Sequence, residues 1–261
     1  MLVLLPPSEG KASGGEGPAL DLDALALPGL TEARRTVLGE LVELCRGDEE
    51  KALDVLGLGE RLRGEVAKNA ALETAPALPA GEVYTGVLYD ALGLGDLGPR
   101  ALGLARESLL VFSGLWGAVR IGDRIPSYRC PMGVKLPALG ALAAFWRGPM
   151  AQVMPEAAGD GLVLDLRSSA YAAAWKPKGD LARRTASVRV LQVRMVDGVE
   201  RRSVVSHFNK ATKGRLVRAL LEADARPATC AELADVWRDL GFTVEQQAKP
   251  GQLDVLVSDV H

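Results

Sequence analysis

A mixed α/β fold of the α+β kind, in which strands and helices share one core, is the architecture this sequence predicts. Three observations carry that prediction. Short continuous apolar runs, at residues 2–5 and in "SLLVFSG", have the character of strands buried on both faces. Between them lie segments with apolar residues at helical 3,4 spacing. Near residue 197 an alternating stretch turns at Asp197-Gly198, a strong hairpin signal. Strand-like and helix-like segments alternate with no repeat, low-complexity tract or linker, so one domain over 1–261 is expected.

Taken in order, residues 2–5 read as a strand, followed by a Gly/Ser/Pro-rich loop, "PPSEGKASGGEGP". "TEARRTVLGELVELCRG" places Val37, Leu38, Leu41, Leu44 and Cys45 on one helical face and stops at Gly47. "DEEKALDVLGLG" and "ERLRGEVAKNAALE" continue as short acidic helices, and "ALPAGEVYTGVLYDALG" runs from a turn into a helix. "SLLVFSG" is a strand, "PALGALAAFWRGPMAQVM" a helix, and "GLVLDLRSSAY" a strand running into a turn or helix start. The alternating run "ASVRVLQVRMVDGVERRSVVSHF" puts His207 late in a strand. "KATKGRLVRALLEA" is a basic helix, and "PATCAELADVWRDLG" opens with Thr229 three residues before Glu232, a capping box. "FTVEQQ" and "LDVLVSDV" close the chain as strands.

Composition excludes several classes. Apolar residues make up 48% and charged residues 25% of 261, as in an ordinary globular protein. The longest apolar stretch, near 136–154, is interrupted by Arg147, Gly148 and Pro149, so no membrane span and no membrane partner are expected. The N-terminus lacks a basic region and a cleavage site, so a signal peptide is not expected. The 3 cysteines, Cys45, Cys130 and Cys230, are far apart and form no CxxC, which favours a reducing cytoplasm over a disulfide framework. With only 2 histidines, His207 and the terminal His261, no multi-histidine metal cluster can form. No metal or cofactor is expected. Walker A, GxGxxG and GxSxG patterns are absent. A monomer is the expected state.

Charge is unevenly spread. The net charge is −2, yet residues 167–218 hold 13 Lys/Arg against 3 Asp/Glu, a balance of +10. Residues 1–100 hold 9 against 17, a balance of −8. A positive block attracts phosphate-bearing partners, and its plain alternative is a solvated face paired with neighbouring acids.

Four polar segments follow strands or turns: Ser8, Glu9 and Lys11; Ser113, Arg120, Asp123, Tyr128 and Arg129; Ser168, Tyr171, Lys176 and Lys178; and His207, Lys210 and Lys213. Loops that leave a sheet on one side converge on one cleft, so these segments are expected to meet.

The segments "PPSEGK", "GEVYTG", "FSGLWG" with "PSYRCPMG", "SSAY", "KPK" and "HFNKATKG" also stand in the order seen in the YaaA-like family (DUF328/UPF0246) of peroxide stress response proteins, which the chain resembles over roughly residues 1–258. Ser113, Gly114, Leu115, Gly117, Arg120, Asp123, Pro126, Tyr128, Arg129 and Met132 keep the family pattern. So do Tyr84, Thr85, Gly86, Ser168, Tyr171, Lys176, Lys178, Phe208, Lys210 and Gly214. The chain departs from it at Trp116 (for Tyr), Gly122 (for Pro), Pro131 (for a carboxylate), Asp165 (often Asn) and Lys213 (for Arg).

The resemblance implies a distinctive fold with a basic cleft and a helix-hairpin-helix-like element. It also implies DNA binding that limits iron-driven damage under peroxide. "FSGLWGAV" fits the hairpin, whose amides would face a phosphate flanked by Arg120 and Arg129, with Asp123 fixing an arginine. Ligand contacts are expected from Ser8, Lys11, Tyr84, Thr85, Ser113, Gly114, Trp116, Gly117, Arg120, Arg129, Ser168, Tyr171, Lys176, Lys178, His207, Lys210 and Lys213. The alternative is an enzyme acting on a nucleotide, nucleobase or phosphorylated small molecule. Lys11, Glu9, Asp123, Tyr128 and Lys210 would then supply acid–base chemistry or a lysine nucleophile.

Overall fold

The structure is a computed structural model that describes residues 1–258 except 13, 15, 16, 197, 198 and 205 and the side chains of 196 and 206–208. Its strands are β1 (Leu2–Leu5), β2 (Leu78–Pro79), β3 (Leu109–Ser113), β4 (Gly117–Arg120), β5 (Arg124–Ile125), β6 (Lys135–Leu136), β7 (Gly140–Ala141), β8 (Val163–Asp165), β9 (Thr185–Val196), β10 (Val199–Ser203), β11 (Thr243–Gln246) and β12 (Gln252–Ser258). The helices are α1 (Thr31–Arg46), α2 (Glu49–Leu56), α3 (Gly64–Ala70), α4 (Ala80–Val83), α5 (Val87–Leu92), α6 (Pro99–Ser108), α7 (Leu142–Ala158), α8 (Ser169–Ala172), α9 (Gly179–Arg183), α10 (Ser206–Glu222) and α11 (Cys230–Asp239).

β1 is central because its four residues are all apolar and can be buried on both faces. It pairs in parallel with β3 on one side and β8 on the other, so Val3 lies between Leu109 and Leu164. The main sheet runs β11-β12-β9-β8-β1-β3-β4, with β10 on the far half of β9. The inner strands β3, β1, β8, β9 and β12 are parallel, and antiparallel strands β4, β11 and β10 finish its edges. This is the mixed α/β architecture expected. Parallel pairing of β1, β3 and β8 aims their C-terminal ends at one edge, the usual place for a site in such sheets.

Local chemistry sets the remaining elements. Thr229 accepts from the Glu232 amide at 3.1 Å, as the capping box requires, while the Glu232 carboxylate takes the Ala228 amide at 2.9 Å. On α10, Gly214 lets the helix touch the backbone of α5, since a Cβ there would sit 2.2 Å from the Leu88 carbonyl oxygen. α7 continues through Pro149 and Pro155, which denies helical partners to the carbonyls four residues earlier. Among the described residues, no helix is long and apolar enough to cross a membrane.

Two expectations require correction. The "FSGLWGAV" segment is the β3–β4 hairpin, with Ser113 opposite Gly117, and not a helix-hairpin-helix. Its apolar residues fit an extended, fully buried sheet edge. The amides of Leu115 and Trp116 donate to Ser113 Oγ at 3.1 and 2.9 Å, so they hold the turn rather than face a phosphate. His207 lies in the first turn of α10 and not in a strand, because β10 ends at Ser203. Its side chain lies outside the described residues, as does the turn at Asp197-Gly198.

Candidate functional site

A cavity of about 770 Å³ opens beyond the C-terminal ends of β1 and β8. The loop after β1 brings Ser8, Glu9 and Lys11, and the segment after β5 brings Tyr128, Arg129, Cys130 and Met132. Ser168 and Tyr171 arrive from the start of α8, Thr85 from the turn before α5, and Asn209, Lys210 and Lys213 from α10. The spacing of Asn209, Lys210 and Lys213 puts them on one face of that helix.

Lys11 is the most constrained of the cations. Its residue forms a bridge to Tyr84, and the following amide, that of Ala12, donates to the Val83 carbonyl at 2.9 Å. Its Nζ donates to the Ser8 carbonyl at 2.9 Å and lies over the Tyr128 ring at 4.4 Å and the Tyr84 ring at 5.7 Å. Burial, then the charge of Arg129, pulls its pKa down to about 8. Ser8 Oγ accepts from the Thr85 amide at 3.1 Å, and the Tyr89 hydroxyl donates to the Pro6 carbonyl at 2.7 Å, which pins the same loop to α5.

Behind Lys11 runs a hydroxyl chain. Ser113 Oγ lies 2.6 Å from the Tyr128 hydroxyl, which lies 2.9 Å from that of Tyr84. Burial pushes both phenols well above their ordinary pKa, and pushes Tyr171 and the Cys130 thiol each up to about 12. These groups stay protonated at neutral pH and act as a neutral, polarisable wall.

Arg129 stands at the mouth. Asn69, fully buried, accepts from its amide at 2.9 Å and donates to its carbonyl at 2.8 Å, fixing the backbone. The guanidinium donates to the Glu9 carbonyl at 3.0 Å and to the Glu9 carboxylate at 3.3 Å. Glu9 is 85% exposed, so water competes for that pair. Arg129 Nε and Asn209 Oδ1 are buried without partners. Lys213 donates to the Leu166 carbonyl at 3.2 Å, and burial lowers its pKa against the opposing pull of Asp165.

Other expected residues lie elsewhere. Ser113, Gly114, Trp116 and Gly117 are behind the cavity wall. Trp116 is fully buried with its ring edge-on to Tyr128 at 5.8 Å, so it offers no stacking face. Gly114 abuts the 128–133 segment, where a Cβ would meet the Cys130 carbonyl oxygen at 2.3 Å. Gly117 faces Trp146. Asp123 accepts from the amides of Ala26 at 3.0 Å and Arg120 at 2.8 Å, so its carboxylate closes a turn rather than holding an arginine side chain. Arg120 donates to the Glu107 carbonyl. Lys176 and Lys178 line a second cavity of about 520 Å³ with Arg147 and Trp175.

Asn69, Tyr89 and Asn209 were not singled out from sequence. Asn209 stood inside "HFNKATKG", one residue before Lys210, and its helical phase with Lys213 was the available signal. Asn69 lies in the acidic α3 and gave none.

Comparison with known proteins places this geometry in a family. The model of the peroxide stress protein YaaA family matches residues 1–248. The chain belongs to that family. It is 67% identical to a UPF0246 protein of Streptomyces coelicolor, over 100% of both chains. It is 42% identical to a UPF0246 protein of Corynebacterium efficiens, covering 94% of this chain and 95% of the other, and 39% identical to one of Corynebacterium glutamicum, covering 94% and 95%. Family membership supports a stress-related role.

Proposed function

We propose that this YaaA-family chain is a cytoplasmic nucleic-acid-binding protein of the peroxide stress response that grips phosphate at the cavity mouth and admits an unpaired nucleotide. The observation that carries the reading is the lining itself: among the described residues, Lys11, Arg129, Lys210 and Lys213 line the cavity with a single carboxylate, Glu9. A cavity of about 770 Å³ suits one nucleotide and not the width of a duplex. Tyr171 and Met132 supply apolar walls against which a base could lie. Coating unpaired DNA in this way would shield it from iron-driven damage.

Fluorescence anisotropy with single-stranded, bubble and duplex oligonucleotides across a salt series tests it. Unpaired DNA is expected to bind more tightly, with affinity falling steeply as salt rises. Lys210→Ala and Lys213→Ala should each reduce the log–log salt slope by about 1. No binding, salt-insensitive binding, or equal affinity for duplex would refute the reading.

A further inference from the structure

Three lysines line the cavity, and they are not alike. Lys210 is exposed on α10, and Lys213 is spent on a carbonyl beside Asp165. Lys11 sits against the aromatic wall, its Nζ held by one backbone carbonyl and faced by two phenol rings. The acidic groups that act on it electrostatically are the Cys130 thiol, Glu65 and Glu9; burial holds the thiol protonated, and each carboxylate has another cation, Lys68 at 2.6 Å and Arg129 at 3.3 Å respectively. Among the described residues, no carboxylate forms an ion pair with Lys11. A half-buried ammonium against an apolar wall and beside a guanidinium is disfavoured, and the free amine is the form such surroundings promote. Arg129, Lys210 and Lys213 share the same cavity and can take a phosphate.

We propose that Lys11 is an amine nucleophile that forms an imine with the aldehyde of a ring-opened sugar phosphate held in this cavity. The inference rests on the phosphate-gripping reading of the site and adds a covalent step to it. The Nζ lone pair attacks the aldehyde carbon, a C–N bond forms, and the C=O π pair moves to oxygen. That oxygen leaves as water, carrying one hydrogen from the amine and one proton from solvent. One amine, one aldehyde and one proton thus become a protonated imine and one water, with no redox change. Ring-opened sugar phosphates place an aldehyde and a phosphate within one sugar, matching an amine on the wall and cations at the mouth. The same chemistry is offered by a free sugar phosphate and by a base-less position in a DNA strand.

Borohydride trapping on the full chain tests this, with adducts mapped by peptide mass spectrometry. The probes are ribose 5-phosphate, ribose, a single-stranded oligonucleotide with one abasic position, and the same oligonucleotide intact. Ribose 5-phosphate or the abasic strand is expected to give one dominant adduct, on Lys11, with ribose at least about tenfold slower and the intact strand giving none. Exposed Lys135 and Lys249 lie outside this cavity and away from its phosphate-binding cations, so they should label at least about tenfold more slowly. Lys11→Arg, which keeps the cation and removes the primary amine, should abolish the adduct, whereas Lys135→Ala should not change it. Which of the two probes that carry both a phosphate and an aldehyde reacts identifies the source of the aldehyde. Salt-dependent oligonucleotide binding without any adduct overturns the imine and leaves the phosphate reading standing. A Lys11 adduct with ribose 5-phosphate but no binding of strands overturns the nucleic-acid reading and leaves the imine, with its phosphate grip, standing. Adducts spread over exposed lysines, or unchanged by Lys11→Arg, overturn the proposal outright.

Discussion

The glycine-rich centre of the chain can be tested by a matched pair of substitutions. Gly114 and Gly133 both lie in the stretch that carries Tyr128 and Arg129, and neither has a left-handed backbone. A Cβ on Gly114 would stand 2.3 Å from the Cys130 carbonyl oxygen, 3.0 Å from the Pro131 carbonyl carbon and 3.1 Å from the Met132 nitrogen. All three are backbone atoms, so relief requires the 130–132 segment to retreat by about 1 Å. Overpacking of this kind costs about 1–3 kcal/mol, and the absence of any flexible side chain to yield puts Gly114→Ala near the upper end. Restricting the unfolded chain returns about 0.4–1 kcal/mol. The net expectation is about 2 kcal/mol of destabilisation, or about 4–8 °C in Tm for a chain of this size. Around Gly133 nothing lies within 4 Å of the added Cβ. Gly133→Ala should therefore leave stability unchanged or raise it by about 0.4–1 kcal/mol. Urea unfolding of both variants reads the difference as a shift in midpoint at constant slope. Only Gly114→Ala should also weaken oligonucleotide binding, since Arg129 moves with the segment. Equal midpoints for the two would refute the claim that Gly114 seats the site-bearing loop.

Two further predictions come from the buried groups behind the cavity. Ser113→Ala strips the acceptor from the Leu115 and Trp116 amides and a partner from Tyr128, and should cost about 2–3 kcal/mol in the same assay; a loss under about 0.5 would deny Ser113 that role. Lys11 has a pKa lowered to about 8 from 10.5, so between those values the unfolded chain binds more protons and stability contributed through Lys11 rises with pH. That rise amounts to at most about 3 kcal/mol. Tyr84, Tyr128, Tyr171 and Cys130, all raised by burial, act with the opposite sign at higher pH. Subtracting the Lys11→Met profile from that of the native chain isolates the lysine, and a flat difference from pH 7.5 to 10 would refute its burial as a cation.

Much of the fold was legible because buried strands announce themselves in sequence. The runs at β1 and β3 and the strand entering "RSSAY" define a parallel centre, and parallel strands must end on one edge. That is why Ser8, Lys11, Ser168 and Tyr171, each following a strand of that centre, fall at one cavity. Arg34 shows what a pattern holds but a reader passes over. It stands on the same helical face as Val37, Leu38 and Leu41, is fully buried, and donates to the carbonyls of Ala26, Trp116 and Ala118 at 2.8, 3.1 and 2.7 Å. Those carbonyls are its reason for being there, and two of them are more than 80 residues away. Asn69 and Asp123 are alike in this respect. Their hydrogen-bonding capacity serves distant backbone, which sequence spacing does not reveal. The glycines of "FSGLWG" suggested a phosphate-facing hairpin for the same reason: close approach was legible, but what approached was the chain's own 130–132 segment.

The positive block exposes the same gap more sharply, and it bears on what the protein binds. Arg167 meets Asp165 at 2.7 Å, and Arg183 and Arg184 both reach Asp180. Arg189 meets Asp254, Arg202 meets Glu200 and Glu245, and Arg218 meets Glu222. Several of these acids come from outside 167–218, so a count over that window overstates the field the folded surface presents. Exposed pairs contribute little to stability, yet each cancels charge within a Debye length. A ligand recognised by a broad basic face would meet a surface already partly neutralised there. Lys11, Arg129, Lys210 and Lys213 converge on one concavity in which, among the described residues, Glu9 is the only lining carboxylate. Low-dielectric walls focus the field of a few cations into a cleft more effectively than a plane of paired ones does. The charge therefore argues for a ligand that enters, a single phosphate with what it carries, rather than a helix lying across the surface.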